Sequence, residues 1–266
     1  MSSGDLLLRD LDTDGILRLT LNDGARRNPL SEAMLDALAN AFEAAGRDPA
    51  VRVIVLAANG PAFSAGHDLK EMTAGRDAPD GGRAYFTKVM SLCSSVMQAI
   101  VTCPKPVIAE VQGIATAAGC QLVASCDLAV AADTARFSTP GVQIGLFCST
   151  PMVALSRNVS NKHAMEMLLT GRMMPAARAA EMGLVNFAVA ADELRAHTMA
   201  IAAEIAAKSS MTLATGKRAF YAQREMPLAD AYAYASQVMV DNMLARDAQE
   251  GIAAFIDKRT PQWQDA

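Results

Sequence analysis

The chain has 266 residues, of which 52% are apolar and 5% aromatic, and its 24 basic and 28 acidic side chains give a formal net charge of −4. This acidic balance argues against a nucleic-acid binder, and high apolar content at low net charge excludes a disordered chain. No apolar run reaches the roughly 18 residues that a membrane span needs. The first residues also lack the basic and apolar pattern of a signal peptide. We therefore expect a folded cytoplasmic protein with no nucleic-acid or membrane partner.

The cysteines and histidines are too scattered to predict a disulfide framework or a metal site. The five cysteines are odd in number and form no CxxC pair, and the three histidines form no HExxH motif. We therefore expect free thiols and no bound metal.

The first 190 residues alternate predicted strands with predicted helices. β-branched apolar runs, such as residues 51–57, predict buried strands, and apolar residues at helical spacing after Ser31 predict an amphipathic helix capped by Ser31. The predicted strands are residues 6–9, 16–21, 51–57, 107–111 and 127–131. The predicted helices are residues 31–46, 84–101 and 116–125, and residues 73–82 form a predicted mobile loop. This alternation is typical of an α/β fold with mostly buried strands.

After about residue 190 the strand pattern stops and only helical periodicity remains. The predicted helices are residues 192–207, 209–223, 227–246 and 248–258. Pro227 marks the start of the third one, since proline is favoured in a first helical turn. We therefore divide the chain into an α/β body, residues 1–200, and a helical C-terminal region, residues 201–266. Met239 and Met243 in that region are expected to pack on the body or on another subunit.

Two segments share one design, in which a buried strand ends, small residues follow and a helix begins. They are residues 62–72 and residues 113–121. Small residues allow a ligand to approach the backbone, and N–H groups at a helix start lack internal partners. Two such loops side by side could direct two N–H donors at one oxygen, which is the geometry of an oxyanion hole. Close packing of helix against strand is the alternative explanation of the small residues.

Five motifs together resemble the enoyl-CoA hydratase/isomerase, or crotonase, superfamily over nearly the whole chain. They are residues 27–31, 62–72, 113–127, 171–172 with 176–185, and 255–259. The resemblance implies an α/β fold, a crotonase-like ββα spiral with a C-terminal helical trimerisation arm. It also implies a homotrimer or a dimer of trimers.

The resemblance further implies which residues bind the substrate, an acyl-CoA thioester, with coenzyme A as part of the substrate and no tightly bound cofactor. The backbone N–H groups of Ala65 and Ala118 would form the oxyanion hole and stabilise an enolate. The residues expected to bind coenzyme A are Arg26, Arg27, Asn28, Ala65, Asp68, Leu69, Phe255 and Lys258. Phe255 and Lys258 match tail positions that often act from a neighbouring subunit.

Two positions depart from the family pattern. The family's hydratases use two glutamates as general acid and base, and in this chain Gln121 and Gly141 stand in their places. An amide can orient a water molecule but does not titrate near neutral pH, and glycine has no side chain. His67, which has a suitable intrinsic pKa, is a tentative substitute, although pairing with Asp68 would equally explain it.

Three functional hypotheses remain open at this point. The first is a CoA-thioester lyase or isomerase of the hydratase family with inefficient hydration. The second is an acyl-CoA decarboxylase-type lyase, which needs the oxyanion hole but no base to remove an α-proton. The third is a non-catalytic acyl-CoA-binding protein on the same scaffold. Cys148 is expected to be a small buried thiol, with a position facing the acyl pocket as the alternative.

Overall fold

Two β-sheets and eleven α-helices make up the computed structural model, which describes residues 5–266. Residues 1–4, which contribute to the signal-peptide argument, lie outside the described residues. The strands are β1 (Leu7–Leu11), β2 (Ile16–Leu21), β3 (Val53–Ala58), β4 (Ala62–Ser64), β5 (Val107–Val111), β6 (Ile114–Thr116), β7 (Leu128–Ala132), β8 (Arg136–Ser138), β9 (Met174–Pro175) and β10 (Phe187–Val189). The helices are α1 (Glu32–Arg47), α2 (Leu69–Gly75), α3 (Arg83–Thr102), α4 (Ala118–Ser125), α5 (Ser149–Leu155), α6 (Asn161–Thr170), α7 (Ala176–Met182), α8 (Leu194–Ala206), α9 (Ser210–Gln223), α10 (Leu228–Leu244) and α11 (Arg246–Ile256).

From β3 to β8, successive strands alternate between the two sheets, which produces a repeated strand–strand–helix unit. The large sheet has the order β1-β2-β3-β5-β7-β10, and the small sheet has the order β4-β6-β8-β9. In each repeat the first strand joins the large sheet, the second joins the small sheet, and a helix follows. Strands β3, β5 and β7 are parallel neighbours, as are β4, β6 and β8. This arrangement confirms the predicted α/β class and its ββα repeat.

The core lies between the large sheet and the helices around it. Val53, Leu56 and Val107 on the central strands are fully buried, as expected for strands covered on both faces. Helix α1 begins after Ser31, whose side chain accepts a hydrogen bond from the Met34 N–H, so the predicted N-cap is confirmed.

The shortest elements differ from the sequence predictions. The strands of the small sheet have two or three residues each, too few for an alternating pattern to be visible. The helix predicted at 116–125 is strand β6 followed by α4. The loop predicted at 73–82 is helical as far as Gly75, because Asp68 caps α2 with its carboxylate.

Helix α3 has 20 residues and is apolar enough to cross a membrane by length and composition alone. In the fold, however, Val89, Cys93 and Ile100 lie on one buried face, and the helix packs against α1 and α4. One face of α3 is therefore packed inside the protein, while only 28% of its most apolar 18 residues are buried.

The C-terminal helices divide differently from the predicted boundary at residues 200 and 201. Helix α8 runs through that boundary and packs against the large sheet, so it belongs to the body. Helices α9 to α11 form the remaining arm. The chain end returns to the body, where the Trp263 indole N–H donates to the Ala207 carbonyl at 2.8 Å.

Candidate active site

Three neighbouring strands of the small sheet end at the same place. Because β4, β6 and β8 are parallel and adjacent, the loops that follow their carboxyl ends lie side by side. The Thr116 hydroxyl donates to the Ala65 carbonyl at 3.2 Å, and the Ala117 N–H donates to the Ser138 carbonyl at 2.9 Å. The two predicted loops are therefore joined directly, and the segment after β8 forms a third side of the same site.

The hydrogen bonds of the first loop determine which of its N–H groups are free. The Ala65 N–H donates to the Arg27 carbonyl at 3.0 Å, and the Gly66 N–H donates to the Ser64 hydroxyl at 3.2 Å. Within residues 5–266, the His67 N–H makes no hydrogen bond. The predicted donor role of Ala65 therefore conflicts with the structure, since its N–H is already occupied, and the free donor of this loop is His67.

The second donor, Ala118, is the first residue of α4, and its N–H has no acceptor in the described part of the chain. Ala117 directly before it has φ 51° and ψ −120°, a left-handed conformation that disfavours a side chain. Such strain typically costs about 1–3 kcal/mol. Because the ψ angle of Ala117 sets the orientation of the next peptide, this strain determines where the Ala118 N–H points.

The two loops are in close backbone contact at Gly66. A Cβ atom on Gly66 would lie 3.0 Å from the Ala117 Cβ and 3.3 Å from the Ala118 nitrogen, and Gly66 itself has φ +85°. A larger residue at this position would separate the loops and strain its own backbone. The free N–H groups of His67 and Ala118 consequently lie on either side of one close backbone contact.

The His67 side chain is partly buried beside this contact, and both of its ring nitrogens are shielded from solvent. Neither ring nitrogen has a hydrogen-bond partner among the described residues, so the structure does not support pairing with Asp68. Burial lowers the pKa of His67 below its ordinary value, because the charged imidazolium is poorly solvated there. The ring is therefore neutral at physiological pH.

Polar but uncharged groups surround the donors. Gln121 is 5% exposed, and its Oε1 has no hydrogen-bond partner in the described chain. Thr139 is 1% exposed, and its hydroxyl likewise has no partner there. Buried polar atoms of this kind usually bind water or a ligand. Sequence reasoning missed Thr139, for which the only signal was its place between β8 and Pro140. At the next predicted position, the Gly141 N–H donates to the Cys148 Sγ at 3.3 Å.

The residues predicted to bind coenzyme A fall into two groups. Asn28 is fully buried, and its side chain binds the backbone of Asp23, Asn59 and Ala62 at 2.8 Å each, so it supports the loop from within. Asp68 is also buried, and its carboxylate caps α2 and pairs with Arg26.

The second group is on the surface. Arg26, Arg27, Ala65 and Leu69 are exposed around the first loop. Phe255, 87% exposed, and Lys258 lie at the end of the C-terminal arm. No group of three or more metal-ligating side chains occurs in residues 5–266.

A cavity of about 490 Å³ extends from Gln121 between α3, α4, α5 and α9. Its walls combine apolar and polar side chains, and Cys148 is not among them. A volume of this size suits a ligand of moderate length. The thiol of Cys148 is buried, as predicted, and burial raises its pKa.

The fold and the paired loops define an α/β protein of the crotonase type, and the solved structures agree. An enoyl-CoA hydratase from Mycobacterium smegmatis has a TM-score of 0.93 and 52% identity, covering 98% of this chain and 99% of that one. The family model for enoyl-CoA hydratase/isomerase matches residues 12–266. The chain therefore belongs to the enoyl-CoA hydratase/isomerase family, which confirms the resemblance found in the sequence.

Within the family, the chain is similar to the protein named enoyl-CoA hydratase domain-containing protein 3. The mouse protein is 50% identical over 94% of this chain and 82% of its own length. The human protein's crystal structure has a TM-score of 0.92 and 47% identity, covering 97% of this chain and all of that one. The mouse relative is named as mitochondrial, whereas a cytoplasmic location for this chain stays a prediction.

Proposed function

We propose that the protein binds an acyl-CoA thioester where the two loops meet and stabilises its enolate through the N–H groups of His67 and Ala118. The observation that carries this proposal is the pair of free donors held together by the close approach of Gly66 to Ala118. Donors fixed in this way typically contribute about 3–4 kcal/mol each to the transition state, because no reorganisation is needed when charge develops.

Coenzyme A binds along the exposed side of the first loop. Leu69, 58% exposed, and Ala65 offer apolar surface beside the donors, while Arg26 and Arg27 offer charge for the phosphates. Asn28 and Asp68 hold this segment in shape from below. Phe255 and Lys258 act from the arm, or from that of a neighbouring copy.

The uncharged surroundings make efficient hydration of an enoyl thioester improbable on chemical grounds. Hydration needs a group that removes a proton from water and another that delivers one to the α-carbon. Gln121 and Thr139 can orient a water molecule but do not titrate near neutral pH. The carboxylate of Asp68 beside the first donor caps α2 and pairs with Arg26. The lowered pKa of His67 makes its ring a weak base.

A second candidate is decarboxylation of a carboxyacyl thioester. Loss of CO₂ generates the enolate directly, so that the oxyanion donors suffice and no carboxylate base is required. Neither candidate needs a bound cofactor. The third candidate is a protein that binds thioesters without turnover. One experiment distinguishes all three candidates.

The experiment supplies the purified protein with crotonyl-CoA and with methylmalonyl-CoA, and follows thioester absorbance and released CO₂. Slow or absent hydration with measurable binding supports the proposal, and CO₂ release favours the second candidate. Rapid hydration of crotonyl-CoA would contradict the importance of the missing carboxylates. Absence of binding to either thioester would overturn the proposal.

A carboxylate at position 121 offers a sharper test. Gln121→Glu should raise crotonyl-CoA hydration about 100-fold, since general acid–base catalysis contributes at least that much. Gln98→Glu, the same change in another wall of the cavity, is the matched control and should leave hydration unchanged. Equal rates in both variants would show that position 121 does not face the reacting carbon.

The C-terminal arm supports self-association, as a homotrimer or a dimer of trimers. Helix α10 carries a row of large apolar side chains that are about half or more exposed in the single chain: Leu228, Tyr232, Met239, Val240, Met243 and Leu244. Apolar patches of this kind are rarely left uncovered. Light scattering should give a multiple of three chain masses, and Leu244→Glu should reduce it. A wild-type monomer would contradict the proposal.

A further inference from the structure

The cavity beside Gln121 is walled by one face of each of four helices. Its lining residues recur at helical spacing, as Ser94, Met97, Gln98 and Val101 do on α3. Tyr221 lines it from α9, and Arg224 and Glu225 line it just beyond the end of that helix. Residues spaced by three and four lie on one side of a helix, so these faces form a continuous lining. Gln121 contributes a buried, unpartnered oxygen to it.

The cavity has an inner and an outer end. Gln121 lies one helical turn beyond the donor Ala118, which places the inner end at the reacting centre. At the other end of α4, the Ala124 carbonyl accepts a hydrogen bond of 2.7 Å from the Asn158 side chain. Arg157 and Asn158, in the turn that follows α5, also line the cavity, so this contact places the turn at the outer end.

Positive charge collects at the outer end. Arg157 and Arg224 both line the cavity there, with Glu225 as the one acidic group in the lining. The Arg157 Nε lies 3.4 Å from the Glu225 Oε1, and the two side chains are 51% and 68% exposed, so this pair is weak. Arg224 donates to the Arg157 carbonyl and lies over the Phe220 ring, and it has no carboxylate partner in residues 5–266.

The walls between the two ends are mainly apolar. Met97, Val101, Val153 and Ala154 provide a surface for methylene groups. A simple alkyl chain would end against two guanidinium groups and remove part of their hydration without replacing it. A chain that ends in a carboxylate would instead form charge-assisted hydrogen bonds with them.

We infer that the acyl group bound here is a medium-length chain with a carboxylate at its far end, held by Arg157 and Arg224. This inference rests on the proposed function, since it assumes that the thioester lies at the inner end. It names the substrate class of that site: the CoA monothioesters of medium-length dicarboxylic acids, which suit a cavity of about 490 Å³.

The test compares octanoyl-CoA with the CoA monothioester of the eight-carbon dicarboxylic acid, by calorimetric titration of the full-length protein. We expect the carboxylated ligand to bind about fivefold tighter, since an ion pair with exposed arginines contributes up to about 1 kcal/mol. Arg157→Gln and Arg224→Gln should each remove most of this preference without weakening octanoyl-CoA. Glu225→Gln should increase it. Arg218→Gln, on α9 but outside the cavity lining, is the control.

Octanoyl-CoA binding also reports whether each variant is folded. Equal affinity of the wild-type protein for both ligands would overturn the inference while leaving the proposed function intact. An arginine variant that weakens both ligands equally would also overturn it, because the arginine would then act on the shape of the cavity. If neither thioester binds, the proposed function and the inference fail together.

Discussion

The Sγ atom of Cys148 lies 2.9 Å from the position that a Cβ atom on Gly141 would occupy. The thiol therefore fills the space in which a side chain at position 141 would begin, and it accepts the Gly141 N–H at 3.3 Å. Burial raises the pKa of Cys148 and keeps it uncharged. The absence of a carboxylate at position 141 is thus tied to the presence of Cys148.

A carboxylate introduced at position 141 should be tolerated better when Cys148 is made smaller. Gly141→Glu alone should lower the free energy of unfolding by about 1–3 kcal/mol through overpacking. Adding Cys148→Ala should restore part of this loss, measured by urea denaturation. The control adds Cys93→Ala, a buried cysteine on α3, and should restore nothing. Equal effects of the two cysteine changes would contradict the proposed steric link.

Ala117, directly before the donor Ala118, has a strained backbone that glycine should relieve. Ala117→Gly should leave the free energy of unfolding unchanged or raise it by about 1 kcal/mol, because glycine adopts φ 51° without a penalty. Ala115→Gly, at a fully buried position of strand β6, is the control and should be destabilising. A loss of stability in Ala117→Gly equal to that of the control would show that Ala117 is not strained.

The sequence was sufficient for features that repeat over many residues. The buried run from Val53 to Ala58 and the helices after residue 190 were predictable from their apolar pattern. The repeat of strands and helices was predicted from the resemblance to the family. The Gly and Ala content also placed the two loops correctly. The sequence could not predict which N–H group of the first loop is free, because the Ala65 N–H donates to the carbonyl of Arg27, 38 positions earlier. The close contact at Gly66 likewise depends on the pairing of strands too short to predict.

The partly buried His67 should make stability depend on pH. Its pKa is lowered in the folded protein, so the unfolded chain binds a proton more readily. Stability from this group is therefore fully present above the unfolded pKa, near 6.5, and declines as the pH falls towards the lower folded value.

His67→Gln should reduce the fall in the free energy of unfolding between pH 7.5 and 5, and thioester binding should persist because the donor is the backbone N–H. His163→Gln is the control, since that ring lies 3.2 Å from the Arg178 guanidinium in a part-buried pair on the outside of the body. An unchanged pH dependence in His67→Gln would indicate that the ring is solvated. Loss of binding would indicate that the side chain, and not only the N–H, contacts the thioester.

A partly buried ion pair fixes α9 over the cavity. The Lys217 Nζ lies 2.6 Å from the Asp127 Oδ2 and also donates to the carbonyls of Ile100 and Lys105, at 2.9 and 3.0 Å. The Tyr221 hydroxyl donates to the other Asp127 oxygen at 2.9 Å, and burial together with this carboxylate raises the pKa of Tyr221. The arm is thereby joined to the body at the wall that also carries Arg224.

Removing the lysine should loosen this wall. Lys217→Met should lower the free energy of unfolding by about 1–3 kcal/mol, because Asp127 loses its charged partner but keeps the hydrogen bonds from the Val107 N–H and the Tyr221 hydroxyl. Lys217→Met combined with Asp127→Asn should lose less than the sum of the single changes, measured as a double-mutant cycle in urea. Arg218→Gln, next along α9 and exposed, is the control and should change stability by less than about 0.5 kcal/mol. Additive effects of the two changes would mean that the arm is held by apolar packing instead.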